Sequence, residues 1–360
     1  MAGHGSTLER DLRTRVGPGA SITTETMTSA TSGLDRDQAV PVVSVVIPTV
    51  RGRTVPTAGE HSYLSQAVAS VQAQTLADWE LIIVADGCAE DLTDLHRGDP
   101  RIRTVSQPRR GVSVARNVGA SMARSELIMF LDDDDRLLPG CLQLHVDAMA
   151  DPTVGICHPG WRFIEHDGRP IPHAVSPDAR TGDELQYRDM LAGAGIPPVV
   201  GALIRRGLFQ AVGGFDSTMR VCEDWDLIYR LARESRLRRL PAVVVEYRRH
   251  QHATHPITPS FGDELRGILM RHLCWAEAAG NDEDVRAALV GLTQARYAHA
   301  RSAIVRARAA TSAHDRATAL RLTARAFLLS PTRALAALLR GLSRDITHRF
   351  AAGNARGKRC

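Results

Sequence analysis

LIMFLDDDD, residues 127–135, sets five apolar residues directly against four aspartates. The apolar half has no polar alternation, which is the pattern of a strand buried on both faces of a parallel sheet. In open sheets of that kind ligands bind outside the carboxyl ends of the strands, where this one delivers Asp132, Asp133, Asp134 and Asp135. Four adjacent like charges repel, so something should compensate them. Hard oxygen ligands suit Mg²⁺ or Mn²⁺, which in turn hold phosphates. The competing reading is a solvated turn in which Asp135 caps the following helix. At this point both stand.

Outward from this run the chain alternates. VVSVVIPT (42–49), stopped by Pro48, is a second continuous β-branched run, and WELIIV (79–84), ended by Asp86-Gly87, is a third. Between them Leu64, Ala67, Val68 and Val71 fall at helical spacing over Tyr63 to Gln74. A short strand over Ile102 to Val105 and a small-residue helix over Gly111 to Ala123 lead into the acidic strand. Pro139 is expected in the first turn of a helix reaching Met149, where a missing N–H costs little. Strand–helix alternation with apolar strands predicts an α/β layer around a parallel sheet. Residues 151–220 are broken by seven prolines and carry no assigned strand. A helix over Asp226 to Arg236 is headed by Cys222-Glu223-Asp224, acids that the helix dipole alone explains. A strand over Val243 to Tyr247 follows, and from Phe261 the chain reads as helix interrupted at Gly280, residues 312–314 and Pro331.

Composition excludes several classes. In 360 residues, 44% hydrophobic and 24% charged, there is enough apolar material for a sizeable core. No apolar run approaches the roughly 18 residues that a membrane-spanning helix needs. Residues 1–40 lack apolar periodicity and a signal-peptide core, so they read as a disordered segment, with Met27 a second candidate start. Six scattered cysteines without a C-x-x-C pair exclude a zinc ribbon and fit reduced cytoplasmic thiols. No G-x-G-x-x-G opens the first βα unit, and a P-loop is excluded because Lys358 is the only lysine. The histidines at 250, 252 and 255 suggest either a metal or a solvated loop.

The net charge of +5 hides an asymmetry: residues 285–360 hold fifteen Arg/Lys against two acids, so the remainder is net negative by eight. The basic helices either pack on the domain, their arginines solvated, or form an amphipathic surface for anionic lipid through Arg306, Arg308, Arg316, Arg321 and Arg325. Packing is the preferred reading. Nucleic acid is not expected, since no aromatic stacking platform accompanies the charge.

Taken in order, VSVVIPT (43–49), LSQAVASVQAQTLADWELIIVADG (64–87), RGVSVARNVGASMARSELIMFLDDDD (110–135), VGGFD (212–216), EDWDL (223–227) and YRRH (247–250) resemble family 2 glycosyltransferases. The resemblance spans about residues 42–255 and implies a GT-A fold: a Rossmann-like, mostly parallel sheet flanked by helices. The implied organisation is a glycosyltransferase domain over 41–258, a basic helical region over 259–350 and a disordered tail over 351–360. Pro48 and Thr49 resemble a loop touching the nucleoside, and Asp86 matches the aspartate that pairs with uracil N3. Arg116 and Asn117 fall on a segment beside the nucleotide. Within the D-x-D, Asp134 is implied as metal ligand, with Asp132 and Asp133 near ribose and metal-bound water. Gly213 and Gly214 match the glycine pair before Glu223 and Asp224, and Asp224 matches the catalytic base. His250 matches a late histidine near the metal–diphosphate. The chain departs from the family pattern at Val50 and Arg51, at an insertion running to His61, and at Ala85 and Cys88 around Asp86-Gly87.

The implied reaction is a metal-assisted, inverting displacement at the anomeric carbon of a nucleotide-diphosphate sugar, UDP-linked by the Asp86 match. The acceptor would be a glycan, a lipid-linked or a small molecule. A cytoplasmic enzyme is the expected setting, with peripheral contact to an anionic membrane through 285–360 as the alternative to packing. A catalytically silent sugar-nucleotide binder of the same fold would be marked by a lost base or broken D-x-D. A sugar nucleotidyltransferase would want a lysine after the first strand, and VRGRT (50–54) has none.

Overall fold

The computed structural model describes residues 39–50, 62–88, 92, 98–176, 185–249, 261–312 and 315–331. The expected N-terminal disordered segment (but for its last two residues), the insertion at 51–61, the tail beyond 331 and His250 lie outside them.

The chain forms β1 (Val43–Thr49), α1 (Tyr63–Gln72), β2 (Trp79–Asp86), β3 (Ile102–Gln107), α2 (Val112–Met122) and β4 (Leu127–Phe130). It continues with β5 (Arg136–Leu137), α3 (Cys141–Ala148), β6 (Val154–Ile164), β7 (Pro170–Val175), α4 (Tyr187–Leu191), β8 (Leu203–Arg205) and α5 (Arg206–Ala211). It closes with α6 (Glu223–Glu234), β9 (Arg236–Arg248), α7 (Phe261–Ala278), α8 (Asp282–Ser312) and α9 (Arg316–Leu329). One sheet in the order β3-β2-β1-β4-β8-β6-β9-β5, with β7 on β6, carries the described strands. The first four strands are parallel, as are β6 and β9; β8 is antiparallel to both neighbours.

The three apolar runs behave as their composition dictates. Every residue of β1 and β2 is buried, as are Ile128, Met129 and Phe130 of β4. Each large aliphatic side chain fully removed from water contributes about 1.5–3 kcal/mol. Of the two charges in these strands, Glu80 at the amino end of β2 accepts from Ser44 Oγ (2.6 Å), Arg124 N (2.7 Å) and Arg103 Nη2 (2.8 Å). Burial alone would raise its carboxyl, but these donors hold it below its usual value. They also tie β1, β2, β3 and the α2–β4 connection together at the amino edge of the sheet.

Two sequence expectations change. Pro139 lies outside the first turn of α3, because Gly140, left-handed at φ 82°, caps that helix. Residues 151–220 contain β6, β7 and β8, where no strand was expected. In β6 the proline that argues against a strand, Pro159, sits where the β6–β9 register shifts between His158 and Gly160. A bulge tolerates the missing N–H there.

The basic C-terminal helices pack, as preferred. Ile268, Leu269 and Leu273 of α7 and Ala287 and Ala288 of α8 belong to the same buried cluster as the sheet. α9 rests on α8 through Ala326, Phe327, Ala303 and Ile304. At the α7 seat His272 is fully buried and its Nδ1 takes the Tyr187 hydroxyl at 2.7 Å. Burial, reinforced by Arg233, Arg271 and Arg230, pushes this imidazole down to about 3. The unfolded value is about 6.5, so the neutral ring stabilises the fold above that pH, and the contribution is lost as pH falls toward 3. At pH 5 the loss should be about 2 kcal/mol. His272→Gln, which still accepts from Tyr187, should therefore lose less thermal stability than the wild type between pH 7 and pH 5. Parallel losses in the two proteins would remove His272 from the account.

Candidate active site

Because β1, β2 and β4 run in one direction, Thr49, Asp86 and Asp132 emerge on the same edge of the sheet. Asp86, 1% exposed, accepts from Gln107 Nε2 (2.8 Å), Arg110 N (2.7 Å) and Gly111 N (2.8 Å). Its carboxylate thus shapes the 107–111 loop that leads into α2, and Gly87 beside it is exposed. Gly87 stands at φ 77° with a Cβ position 2.6 Å from Arg109, so the Asp-Gly pair is required by the close loop.

The four aspartates divide. The carboxylates of Asp132, Asp134 and Asp135 come within 4.8 Å of one another. Asp133 turns the other way, is buried, and accepts from Thr49 Oγ1 at 2.6 Å. Asp135 caps no helix. It is buried and accepts from Arg248 N at 2.8 Å, and burial followed by Asp134 and Asp132 pushes its carboxyl well up. Arg248 braces this turn from several sides: Nε donates to Asp134 O (2.9 Å), Nη1 to His166 O (2.8 Å) and Nη2 to Gln66 Oε1 (2.8 Å). Its ion also lies 4.5 Å over Tyr63. Neither Asp135 nor Arg248 was singled out from sequence. The signal for Asp135 was a second D-x-D-like spacing within the same run, and for Arg248 its place in YRRH.

Arg116 bridges this turn to α6. Its buried guanidinium donates to Asp132 Oδ1 at 2.7 Å and to Glu223 Oε1 at 3.3 Å. Burial works against the cation, yet Asp132 and Glu223 hold it above its usual value. Asn117, one residue on, faces the protein: it donates to Phe215 O (2.8 Å) and accepts from Phe215 N (2.9 Å). Gly213 and Gly214 take φ 85° and 67°, and a Cβ on Gly214 would stand 2.8 Å from Asn117 Oδ1. Asn117 and the glycine pair therefore clamp the turn that precedes α6.

α6 begins three residues earlier than its apolar spacing suggests, on Cys222 in the left-handed conformation at φ 61°. A non-glycine residue there is strained. The result is that Glu223, Asp224 and Asp226 all occupy the first helical turn. Asp226 is consumed structurally by Arg230 (2.8 Å) and Arg271 (2.5 Å). Asp224 accepts only from Trp225 N, at 2.9 Å, among the described residues. Burial pushes its carboxyl up to about 6, with Glu223 and Asp132 adding and Arg116 opposing. A carboxylate poised near neutrality at the mouth of a sheet edge is suited to accepting a proton.

The sequence model described as Glycosyl transferase family 2 matches residues 54–213. An uncharacterized glycosyltransferase, YwdF of Bacillus subtilis (strain 168), is 30% identical over 192 residues, covering 51% of this chain and 68% of its own length. The chain belongs to glycosyl transferase family 2. An uncharacterized glycosyltransferase of Nostoc sp. (strain PCC 7120 / SAG 25.82 / UTEX 2576) is 30% identical over 202 residues, 54% of this chain and 62% of that protein. The fold is also similar to that of S. aureus TarS in a crystal structure with UDP-GlcNAc, at TM-score 0.52 and 16% identity over 64% of this chain and 66% of that one.

Proposed function

We propose that this chain transfers a sugar from a nucleotide-diphosphate sugar, UDP-linked, to an acceptor hydroxyl with inversion. The observation that carries the reading is Asp224, held near neutrality at the same sheet edge as three converging aspartates. TarS binding UDP-GlcNAc supports the choice of donor nucleotide.

Asp132, Asp134 and Asp135 would hold a divalent metal; three hard carboxylate oxygens within 4.8 Å suit Mg²⁺ or Mn²⁺. His250, outside the described residues, is the fourth candidate by family resemblance. When bound, the ion supplies Lewis-acid neutralisation of charge on the diphosphate. The protein's own work is positional. Asp86 fixes the loop against which the base would rest, Arg116 orients Asp132, and Asn117 sets the entry to α6. Asp224 takes the acceptor proton as the new C–O bond forms. Incubating the chain with UDP-, GDP- and dTDP-sugars, with and without candidate acceptors, and following nucleoside diphosphate release and thermal shift tests the reading. No stabilisation by any nucleotide and no release would end it.

The same proposal places the enzyme on the cytoplasmic face of an anionic membrane. No helix among the described residues is long and apolar enough to cross one. α9, however, exposes Leu320 (72%) and Leu328 (80%) beside exposed Arg316 and Arg321. Co-sedimentation with anionic vesicles should be strong at low salt and fade as screening shortens toward about 8 Å at physiological salt. Leu320→Ser with Leu328→Ser should weaken it; binding unchanged by this pair would return α9 to packing alone.

A further inference from the structure

Sheet register places an aromatic cluster beside the aspartates. Ile128 of β4 and Ile156 of β6 both pair with Ile204 of β8, and both strands run antiparallel to β8. They therefore point the same way from the same height. Past those pairs β4 leads to Asp132 and β6, through the register shift around Pro159, leads to Trp161, so both run toward the same edge of the sheet. β9 runs parallel to β6, with Tyr247 paired to Phe163.

Trp161 is half-buried, and its ring meets Phe163 at 4.9 Å and Tyr247 at 5.4 Å between centroids, both edge-on. Such T-shaped contacts fix a ring without covering it on both faces. Tyr247 is pinned by its hydroxyl on Val200 O at 2.6 Å. Tyr247 immediately precedes Arg248, whose N donates to Asp135 Oδ1 at 2.8 Å, so the ring is one residue from the contact with the aspartate turn. At the outer end the exposed Arg249 stacks 4.5 Å over Phe163. The contrast with Trp79 is instructive. That indole is buried within β2, whereas Trp161, near the carboxyl end of β6, is half-buried.

We propose that Trp161, backed by Phe163 and Tyr247, is the platform on which the acceptor's pyranose ring stacks while one of its hydroxyls faces Asp224. The proposal rests on the glycosyltransfer reading and adds the acceptor's class: a glycoside. A pyranose offers a C–H face to an aromatic ring and a rim of hydroxyls to charged neighbours, which is what Trp161 provides with Arg249 stacked on Phe163 and Tyr247 next to the residue that bonds the aspartate turn. A prenyl or acyl chain wants a continuous apolar groove, and the flanking charges interrupt one. In the transfer, the acceptor oxygen bonds to the donor's anomeric carbon and its proton passes to Asp224. The anomeric C–O bond to diphosphate breaks, and its electron pair leaves with the nucleoside diphosphate.

Saturation-transfer NMR on the full chain with UDP and Mg²⁺ tests this, using methyl glycosides of glucose, galactose, mannose and N-acetylglucosamine as probes. At least one should receive saturation on the ring protons of one face. Trp161→Phe should retain the signal and Trp161→Ala should lose it by tenfold or more, while thermal stabilisation by UDP stays equal in all three proteins. Unchanged signals in Trp161→Ala, or no glycoside signal from a wild type that UDP stabilises, would overturn the platform and leave the donor reading standing. Trp161-dependent binding of farnesyl phosphate with no glycoside bound would assign the shelf to lipid and overturn it too. A wild type that no nucleotide stabilises removes the donor reading, and the platform falls with it.

Discussion

Replacing Asp224 by asparagine is expected to lower sugar transfer roughly 10²–10⁴-fold, the usual share of general base catalysis. Nucleotide affinity should stay unchanged. The substitution preserves size, and Asn accepts from Trp225 N as Asp does, so the local hydrogen bond in the first turn of α6 is kept. What disappears is proton acceptance. Asp224 is active as the carboxylate, so wild-type kcat/KM should rise with pH through about 6 and level off above it. The groups that set this midpoint are Glu223 and Asp132, which raise it, and Arg116, which lowers it. The variant should lose that limb. Stability supplies a control with a definite sign. A carboxyl whose folded pKa is raised favours the folded state as pH falls, and its charged form is disfavoured above about 6. Asparagine carries no such charge, so the variant should be at least as stable as wild type at pH 8. Wild-type turnover in Asp224→Asn would reduce Asp224 to a first-turn acid favoured by the helix dipole and remove the mechanism.

The second large effect concerns the aspartate turn. With Mn²⁺ present, Asp134→Ala should abolish the thermal stabilisation that UDP gives the wild type. A ligand at a hundred times its Kd stabilises by about 2.7 kcal/mol, so the difference is easily read. The unliganded variant should keep its fold, because Arg248 holds this turn through the Asp134 carbonyl and the Asp135 carboxylate, and neither is altered. Removing the middle charge also relieves Asp135, whose carboxyl is raised by burial and then by Asp134. Equal UDP affinity of the wild type in EDTA and in Mn²⁺ would exclude the aspartates as a metal site that serves nucleotide binding.

The parallel half of the sheet was legible from composition alone. VVSVVIPT, WELIIV and LIMFL have no polar alternation, and a strand covered on both faces tolerates none, so β1, β2 and β4 follow. That β1 and β2 end in Thr49 and Asp86, and that β4 leads into Asp132 two residues past its end, was equally local, and with it the location of a candidate site at one edge. Among the described residues from Phe261 the chain is helical as its composition suggests, with α7 and α8 parting around Gly280 and α9 ending before Pro331.

What tertiary structure alone decided lies in pairings distant along the chain. β6 is a strand because β9, more than seventy residues later, supplies its hydrogen bonds, and Pro159 survives there only because the register shifts around it. Local propensity carries no trace of such a partner. The same holds for direction within DDDD: spacing could not say that Asp133 would bond Thr49 while Asp135 joined Asp132 and Asp134. Asn117 on Phe215, Arg116 between Asp132 and Glu223, and Trp161 against Tyr247 are likewise long-range facts. Sequence placed chemistry at the ends of strands because burial is written locally. Which carboxylate meets which partner depends on elements that approach only once the sheet has closed.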